Sequence, residues 1–123
     1  MTVTALDSAV RDALERGGIV DITTTGRQTG EPRRLEIVLH SHDGRFFISG
    51  KPGWPRSWIA NLAADPRMIV HLKRGIRADV PARARVITDR AEREAVLPPI
   101  AAGWGYPVSV MVTGSPLIEV TVD

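Results

Sequence analysis

The chain has 123 residues, 43% of them hydrophobic and 24% charged, with sixteen basic and fourteen acidic side chains and no cysteine. This length suits one domain with its own core, and the missing cysteine excludes disulfides, thiolate metal sites and a thiol nucleophile. No apolar run reaches the ~18 residues that span a bilayer, and residues 1–16 lack the features of a secretory signal, so we expect a cytoplasmic protein.

Taken in chain order, hydrophobic spacing first predicts an amphipathic helix over residues 4–15, ended by Gly17-Gly18. A second helix is predicted from Pro55 to the Asp65-Pro66 pair, and a third from residue 90 to about 97, where Pro98-Pro99 interrupts the pattern. Residues 101–107 are predicted to be a glycine-rich loop. β-Branched and alternating runs predict strands at residues 19–25, 34–41, 45–49, 68–72, 78–88 and 117–122.

Short turns join most of these strands, and Asp43-Gly44 is a strong hairpin signal. Antiparallel strands joined in this way favour a small closed or split barrel. We therefore predict an α+β, mainly β fold of about six antiparallel strands with two to three short helices. Residues 1–123 are expected to form one domain, with the N-terminal helix in residues 1–17 and the barrel in residues 19–122.

Positive charge is concentrated in the middle of the chain. Between Arg27 and Arg85 there are twelve basic and five acidic residues, a local balance of +7, whereas the rest has four basic and nine acidic residues. Fourteen of the sixteen basic residues are arginine, whose forked guanidinium suits phosphate and carboxylate groups. The pattern predicts an anionic ligand, and the other reading is an arginine-rich composition with solvated side chains.

The first candidate site, residues 23–34, reads as a strand, a glycine-punctuated turn and a strand. It carries Arg27, Arg33 and Arg34 close together. Backbone N–H groups of such a turn and the arginine forks together form an anion cradle. The alternative is an ordinary hairpin with exposed charge, because turns of this composition are common.

The second candidate site, residues 49–62, reads as a glycine-rich loop that leads into a helix. A helix N-terminus favours an anion or an electron-rich oxygen, and tryptophans offer flat walls for a ring. The alternative places Trp58 in the core and leaves Lys51 as a solvated loop residue. The side chains expected around this helix terminus are Lys51, Trp54, Arg56, Ser57, Trp58 and Asn61.

Two further groups of residues have weaker signals. His40 and His42 lie on one side of a strand, as metal ligands can, but His71 is the only other histidine, so we expect no metal and a polar hairpin tip. Trp104 and Tyr106 lie in the predicted glycine-rich loop. Tyr106 has two readings: it lines a pocket mouth and donates a hydrogen bond, or it packs in the loop.

Two motifs carry a family resemblance. The run TTGRQTGEPR at residues 24–33 resembles the "TTGRKSGxPR" signature of the deazaflavin-dependent nitroreductase family. SGK at residues 49–51 and WIANLAADP at residues 58–66 resemble that family's "SKGG…WYxNLxANP" stretch. The resemblance covers residues 19–90 well and the last thirty poorly. Gln28 stands where the family usually has lysine.

The resemblance implies an FMN-binding split-barrel-like fold and the cofactor coenzyme F420, with FMN or FAD as second choice. By the resemblance, the arginines of the first motif meet the phosphate and oligoglutamate tail, and the loop of the second motif meets the ring or its linker. The helix residues shape the pocket. The implied cofactor contacts are Arg27, Gln28, Arg33, Arg34, Ser49, Gly50, Lys51, Ser57, Trp58 and Asn61.

The implied reaction is hydride transfer from reduced deazaflavin to a small conjugated acceptor of the nitro-aromatic, quinone or enone type. Lys51 is expected to steady negative charge on the ring, and Tyr106 to donate a proton to the reduced acceptor. The alternative is a non-catalytic carrier of a flavin, a deazaflavin or a fatty acid in the same groove. Nucleic acid is not expected, because aromatics are 5% of the chain and none interleaves the arginines. A homodimer and peripheral contact with the inner membrane face stay open.

Overall fold

The computed structural model describes residues 8–53 and 57–123. Trp54, Pro55 and Arg56, and the first residues of the predicted N-terminal helix, lie outside the described residues. The described residues form four helices: α1 Ser8–Arg16, α2 Ser57–Ala64, α3 Arg90–Trp104 and α4 Val108–Gly114. They also form six strands: β1 Gly18–Thr25, β2 Pro32–His42, β3 Arg45–Ser49, β4 Arg67–Leu72, β5 Ala78–Val86 and β6 Leu117–Val122.

The six strands form a closed barrel in the order β1-β2-β3-β6-β5-β4, and every pair is antiparallel. The predicted barrel of six antiparallel strands is therefore confirmed. The Asp43-Gly44 hairpin is confirmed as well: His42 pairs with Arg45, and both turn residues have positive φ, 53° and 75°, as the type I′ turn of a two-residue hairpin requires.

The strand register leaves one long edge of the barrel open. Strand β1 pairs with β2 from Pro32 to Leu39, but β3 pairs with β2 only from Leu39 to His42. Residues 32–38 of β2 thus have β1 on one side, and no strand of the described chain pairs with their other side. After Ser49 the chain instead leaves the barrel wall toward α2. This open edge is where the site described below lies.

The core has two parts, because β3 buries both of its faces. Phe46 and Ile48 point into the barrel, where they pack with residues of β1, β4 and β6. Phe47 points outward and packs under α3 and α4. The second cluster contains Phe47, Ile87, Leu97, Ile100, Ala101, Met111, Val112 and Leu117. The C-terminal helices therefore cover the outer surface of β3 and β6, next to the open edge.

Two expectations for the C-terminal third were wrong. Helix α3 does not stop near Leu97 but continues through Pro98-Pro99 to Trp104, so most of the predicted loop at residues 101–107 is helical. Both prolines are exposed, so water can reach the carbonyls that they leave unbonded, whereas Ile100 and Ala101 are buried. Each proline costs about 3 kcal/mol inside a helix, and burial of Leu97 and of Ile100 stabilises the helix by about 1.5–3 kcal/mol each.

Helix α4 was missed altogether, because its sequence VSVMVTG is rich in β-branched residues that favour strands.

No single helix in the described part of the chain is long and apolar enough to cross a membrane. Within the described residues, only α3 and α4 taken together would have the length and apolar composition of a membrane span, and the two are bent by 114° relative to each other.

Candidate functional site

The turn between β1 and β2 has a fixed shape. The Gly26 N–H donates to the carbonyl of Glu31 at 2.8 Å, and the Gly30 N–H donates to the carbonyl of Gly26 at 2.8 Å. Gly30 has φ +73°, which a side chain would strain, and a Cβ on Gly26 would lie 3.1 Å from the Glu31 carbonyl oxygen. The glycines of the first motif therefore hold a compact turn, and this turn fixes the backbone position of Arg27.

Asn61 of α2 clamps Arg27 to the barrel. Its Oδ1 accepts from the Arg27 backbone N–H and from Arg27 Nη1, both at 3.1 Å. Its Nδ2 donates to Thr24 Oγ1 at 3.3 Å. Asn61 is 5% exposed, so this buried amide has partners on both ends and fixes the guanidinium against the start of α2. The Ser57 carbonyl accepts a further, longer bond from Arg27 Nη1 at 3.4 Å.

A first cavity of about 340 Å³ opens between this turn, the start of α2 and β2. Its walls carry almost every candidate of the first motif together with the helix residues of the second. The residues that line it are Gly26, Arg27, Gln28, Thr29, Arg33, Arg34, Leu35, Ser57, Trp58 and Asn61.

The arginines at this cavity differ in their partners. Among the described residues, Arg27 has no carboxylate within ion-pair distance, since its bonds go to a neutral amide and a carbonyl. Arg33 lies 3.5 Å from Glu31, with both side chains more than half exposed. Arg34 instead donates through Nε to Asp21 Oδ2 at 3.0 Å on the outer barrel surface. Positive charge near the cavity is thus carried by Arg27 and Arg33.

A second cavity of about 330 Å³ continues along the open edge of β2 and shares Leu35 and Trp58 with the first. We call the two together the groove. The lining residues of this second part are Ile19, Leu35, Glu36, Ile37, Val38, Ser49, Gly50, Lys51, Trp58 and Trp104. A cationic part and a part with two tryptophans therefore meet at Trp58.

The loop that carries Lys51 is anchored from two sides. Ser49 is buried and its hydroxyl donates to the Pro116 carbonyl at 2.7 Å, so that hydroxyl is engaged within the protein. Beyond Lys51, the Gly53 N–H donates to the Gly114 carbonyl at 3.1 Å. A Cβ on Gly114 would lie 3.3 Å from Pro52 Cβ, so a larger residue there would require Pro52 to move by a few tenths of an ångström. Helix α4 thus holds the Lys51 loop beside the open edge.

Trp104, the last residue of α3, forms the far wall of the second cavity. Its Nε1 donates to His40 Nε2 at 3.2 Å, and the two ring centroids are 6.2 Å apart. Burial lowers the pKa of His40, and the nearby His42 lowers it further. Tyr106, two residues on, packs against the second core cluster. The sequence pattern left Trp104 and His40 unconnected, because 64 positions separate them.

The structure thus brings most of the predicted site residues together in one groove. Gln28, Gly50, Lys51 and Trp58 line it alongside the arginines and Asn61. Ser49 lines it with its hydroxyl engaged elsewhere, and Tyr106 packs beside it as part of the second core cluster. Within the described residues, no group of three or more His, Asp or Glu side chains is arranged to hold a metal ion.

The barrel thus leaves a groove with tryptophan side chains along one part and arginine side chains at the other end. A family model described as F420H(2)-dependent quinone reductase matches residues 2–123. The chain belongs to this family, and it is an oxidoreductase that uses coenzyme F420. The groove fits that cofactor, because it combines tryptophan walls with an arginine whose charge no described carboxylate neutralises.

Solved structures share the fold at low sequence identity. An F420-H2 dependent reductase is 24% identical over 83% of this chain and 92% of its own, with a TM-score of 0.62. A conserved hypothetical protein from Mycobacterium tuberculosis is 16% identical, over 98% and 82%, with a TM-score of 0.70. A pyridoxinephosphate oxidase family protein from Clostridium acetobutylicum is 16% identical, over 93% and 81%, with a TM-score of 0.66.

Proposed function

We propose that the chain catalyses the two-electron reduction of a small planar acceptor, a quinone, enone or nitro-aromatic compound, with F420H2 as the reductant. The observation that carries this proposal is the arrangement at Arg27. Asn61 holds its guanidinium at the cavity, and its charge stays available for an anion. A polyanionic tail is the kind of ligand that such a group binds through charge-assisted hydrogen bonds.

The proposed binding mode follows the two parts of the groove. Arg27 and Arg33, with Gln28 and Ser57 beside them, hold the phosphate and the glutamate carboxylates. The ring lies along the open edge between Trp58 and the Ser49–Lys51 loop, with Arg34 and Asn61 at the tail end. Flat rings pack favourably on indole walls, and backbone groups of an unpaired strand edge offer further hydrogen bonds.

The bound cofactor supplies a hydride, and the chain supplies geometry, charge and exclusion of water. Reduction of a quinone to a hydroquinone takes up one hydride at the acceptor and one proton at the oxygen that becomes negative. Lys51 is proposed to stabilise the negative charge that develops on ring oxygens. Tyr106 stays a predicted proton donor, and a Tyr106→Phe variant with full turnover on every active acceptor would contradict that role.

The test is a titration of the purified protein with oxidised F420 and separately with FMN, followed by cofactor and tryptophan fluorescence. We expect micromolar or tighter binding of F420, weakened about tenfold or more in Arg33→Ala and Lys51→Ala, since each removes a charged hydrogen bond. Arg77→Ala, which removes an exposed arginine of the β4–β5 turn, is the matched control for net charge. No binding of either cofactor at micromolar concentration would contradict the proposal.

Turnover separates the enzyme from the carrier alternative. Loss of F420H2 absorbance should accelerate when a naphthoquinone, an enone or a nitro-aromatic compound is added, and the most active acceptor class identifies the reaction. Tight F420 binding without turnover on any of the three would favour a non-catalytic carrier.

A further inference from the structure

The contact between His40 and Trp104 joins two elements that the barrel ladder does not connect. His40 lies on the outer face of β2, opposite Phe47 of β3. Trp104 ends α3, directly before Gly105 with φ 77°, where the chain turns away. Because α3 ends here, no later residue of the helix packs against the Trp104 indole. The hydrogen bond to His40 therefore fixes where the indole stands relative to the groove.

This hydrogen bond exists in one protonation state of His40 only. The indole N–H is a donor and never an acceptor, so His40 must present a lone pair at Nε2 and carry its proton on Nδ1. A protonated imidazole has donors at both nitrogens and cannot accept the bond. Protonation of His40 thus replaces an attractive contact by a contact between two donors.

The charges around His40 favour its neutral form. His42, two residues on along the same face, adds positive charge when protonated. On the neighbouring strand β3, Arg45 lies over the Phe47 ring, and its charge is balanced by Glu119 of β6 and Glu92 of α3. Burial also opposes a charge on His40, so its pKa lies below the usual value of about 6.5.

The other end of the contact lies in the groove. Trp104 is partly exposed and lines the second cavity together with Lys51 and Trp58. In the binding mode proposed above, on which this inference rests, Trp58 is shared with the cationic part. Trp104 lines only the second cavity, whereas Arg27 and Arg33 line only the first.

We propose that His40 is a positioning residue that holds Trp104 as the acceptor-side wall of the groove, and that protonation of His40 releases this wall. Neutral His40 then sets the affinity for a planar acceptor, whereas the tail contacts at Arg27 and Arg33 are unaffected.

The first test needs no cofactor. Release of Trp104 exposes its indole to water, so the tryptophan emission maximum of the cofactor-free protein should move to longer wavelength in a transition centred below pH 6.5, the side to which burial moves the pKa of His40. The transition should be absent from His40→Gln and from Trp104→Phe. His42→Gln, which keeps the Trp104 contact, should retain it, with its midpoint moved upward because a positive neighbour is removed. A wild-type protein without the transition would overturn the proposal.

The second test measures turnover, and a rescue variant distinguishes a lost hydrogen bond from a folding defect. His40→Leu should raise the acceptor KM about fivefold and leave the Kd for F420 within twofold, as expected for the loss of one hydrogen bond. His40→Gln offers an amide oxygen to the indole N–H and should restore the KM to within twofold of wild type. Equal KM values for wild type and His40→Leu would overturn the proposal.

The two tests also separate this proposal from the proposed reaction. If the wild-type protein binds F420 but reduces no acceptor, the reaction is wrong, and the fluorescence transition still decides whether protonation of His40 releases Trp104. If turnover is normal and the transition is absent, the role of His40 is wrong while the reaction stands.

Discussion

The cations that pair with carboxylates, among them Arg34 at the rim of the groove, differ from Arg27 in what holds them. Arg34 bonds Asp21, Lys73 bonds Asp21 and Glu36, and Arg85 bonds Glu92 and Glu119, all at 3.0 Å or less. In the groove, the Arg27 guanidinium is held by the Asn61 amide and a carbonyl. Charge that is neutralised supports the barrel, and charge that is held but not neutralised is available to a ligand.

These ion pairs neutralise part of the local charge of +7 that the sequence places between Arg27 and Arg85. Asp21, Glu92 and Glu119 lie outside the segment from Arg27 to Arg85, yet they pair with basic residues inside it. A count along the sequence therefore overstates the charge that a ligand meets. The part that remains is concentrated at the first cavity, around Arg27 and Arg33.

The largest effect is expected from Arg27→Ala. It removes a guanidinium that is already oriented, so the Kd for F420 should rise about thirtyfold, the loss of one or two charged hydrogen bonds. Fluorescence titration measures it, with Arg77→Ala as the control that lowers the net charge equally. Equal Kd values in the two variants would mean that the cofactor senses overall charge and not the groove.

Asn61→Ala should come next and should affect both binding and stability. The substitution removes the amide that holds Arg27, and it leaves the buried Thr24 hydroxyl oxygen without its hydrogen-bond donor. We therefore expect the free energy of unfolding to fall by about 1–3 kcal/mol. The Kd for F420 should rise about tenfold. Thermal unfolding and titration measure the two effects, and an unchanged Kd would show that the clamp does not orient Arg27 for the ligand.

A smaller effect is expected from Arg34→Ala than from its neighbour Arg33→Ala. The two arginines are adjacent in the motif, but Arg34 is bonded to Asp21 on the outer surface. We expect Arg33→Ala to weaken F420 binding at least threefold more than Arg34→Ala does. The reverse order would show that the bond to Asp21 does not keep Arg34 from binding the tail.

The smallest effect is expected from Asp21→Asn, on the stability of the fold at acid pH. Hydrogen bonds from Lys73 and Arg34 lower the pKa of Asp21, so this carboxylate stabilises the fold above its ordinary pKa. That stabilisation is lost as the pH falls through the lowered pKa. Between pH 5 and pH 2.5 the Tm of the wild type should therefore decrease more than that of Asp21→Asn. Parallel decreases would contradict the assignment.

The strands were predictable because alternation reports directly which face of a sheet is buried, as in Leu35, Ile37 and Leu39. The end of α3 was not, since local proline rules were overridden by burial of Ile100 and Ala101 against β3 and β6. The motifs identified most groove residues. The Arg27–Asn61 clamp and the His40–Trp104 contact required the fold, because each joins residues more than thirty positions apart.

The central claim is that charge at the first cavity recognises the anionic tail of the cofactor. It is tested most directly by comparing the affinities of F420 and of a deazaflavin that lacks the phosphate and glutamates, in wild type and in Arg27→Ala. We predict that wild type binds F420 at least thirtyfold more tightly than the tail-less compound, and that Arg27→Ala removes most of this preference. Equal affinity of the wild type for both compounds would contradict the claim.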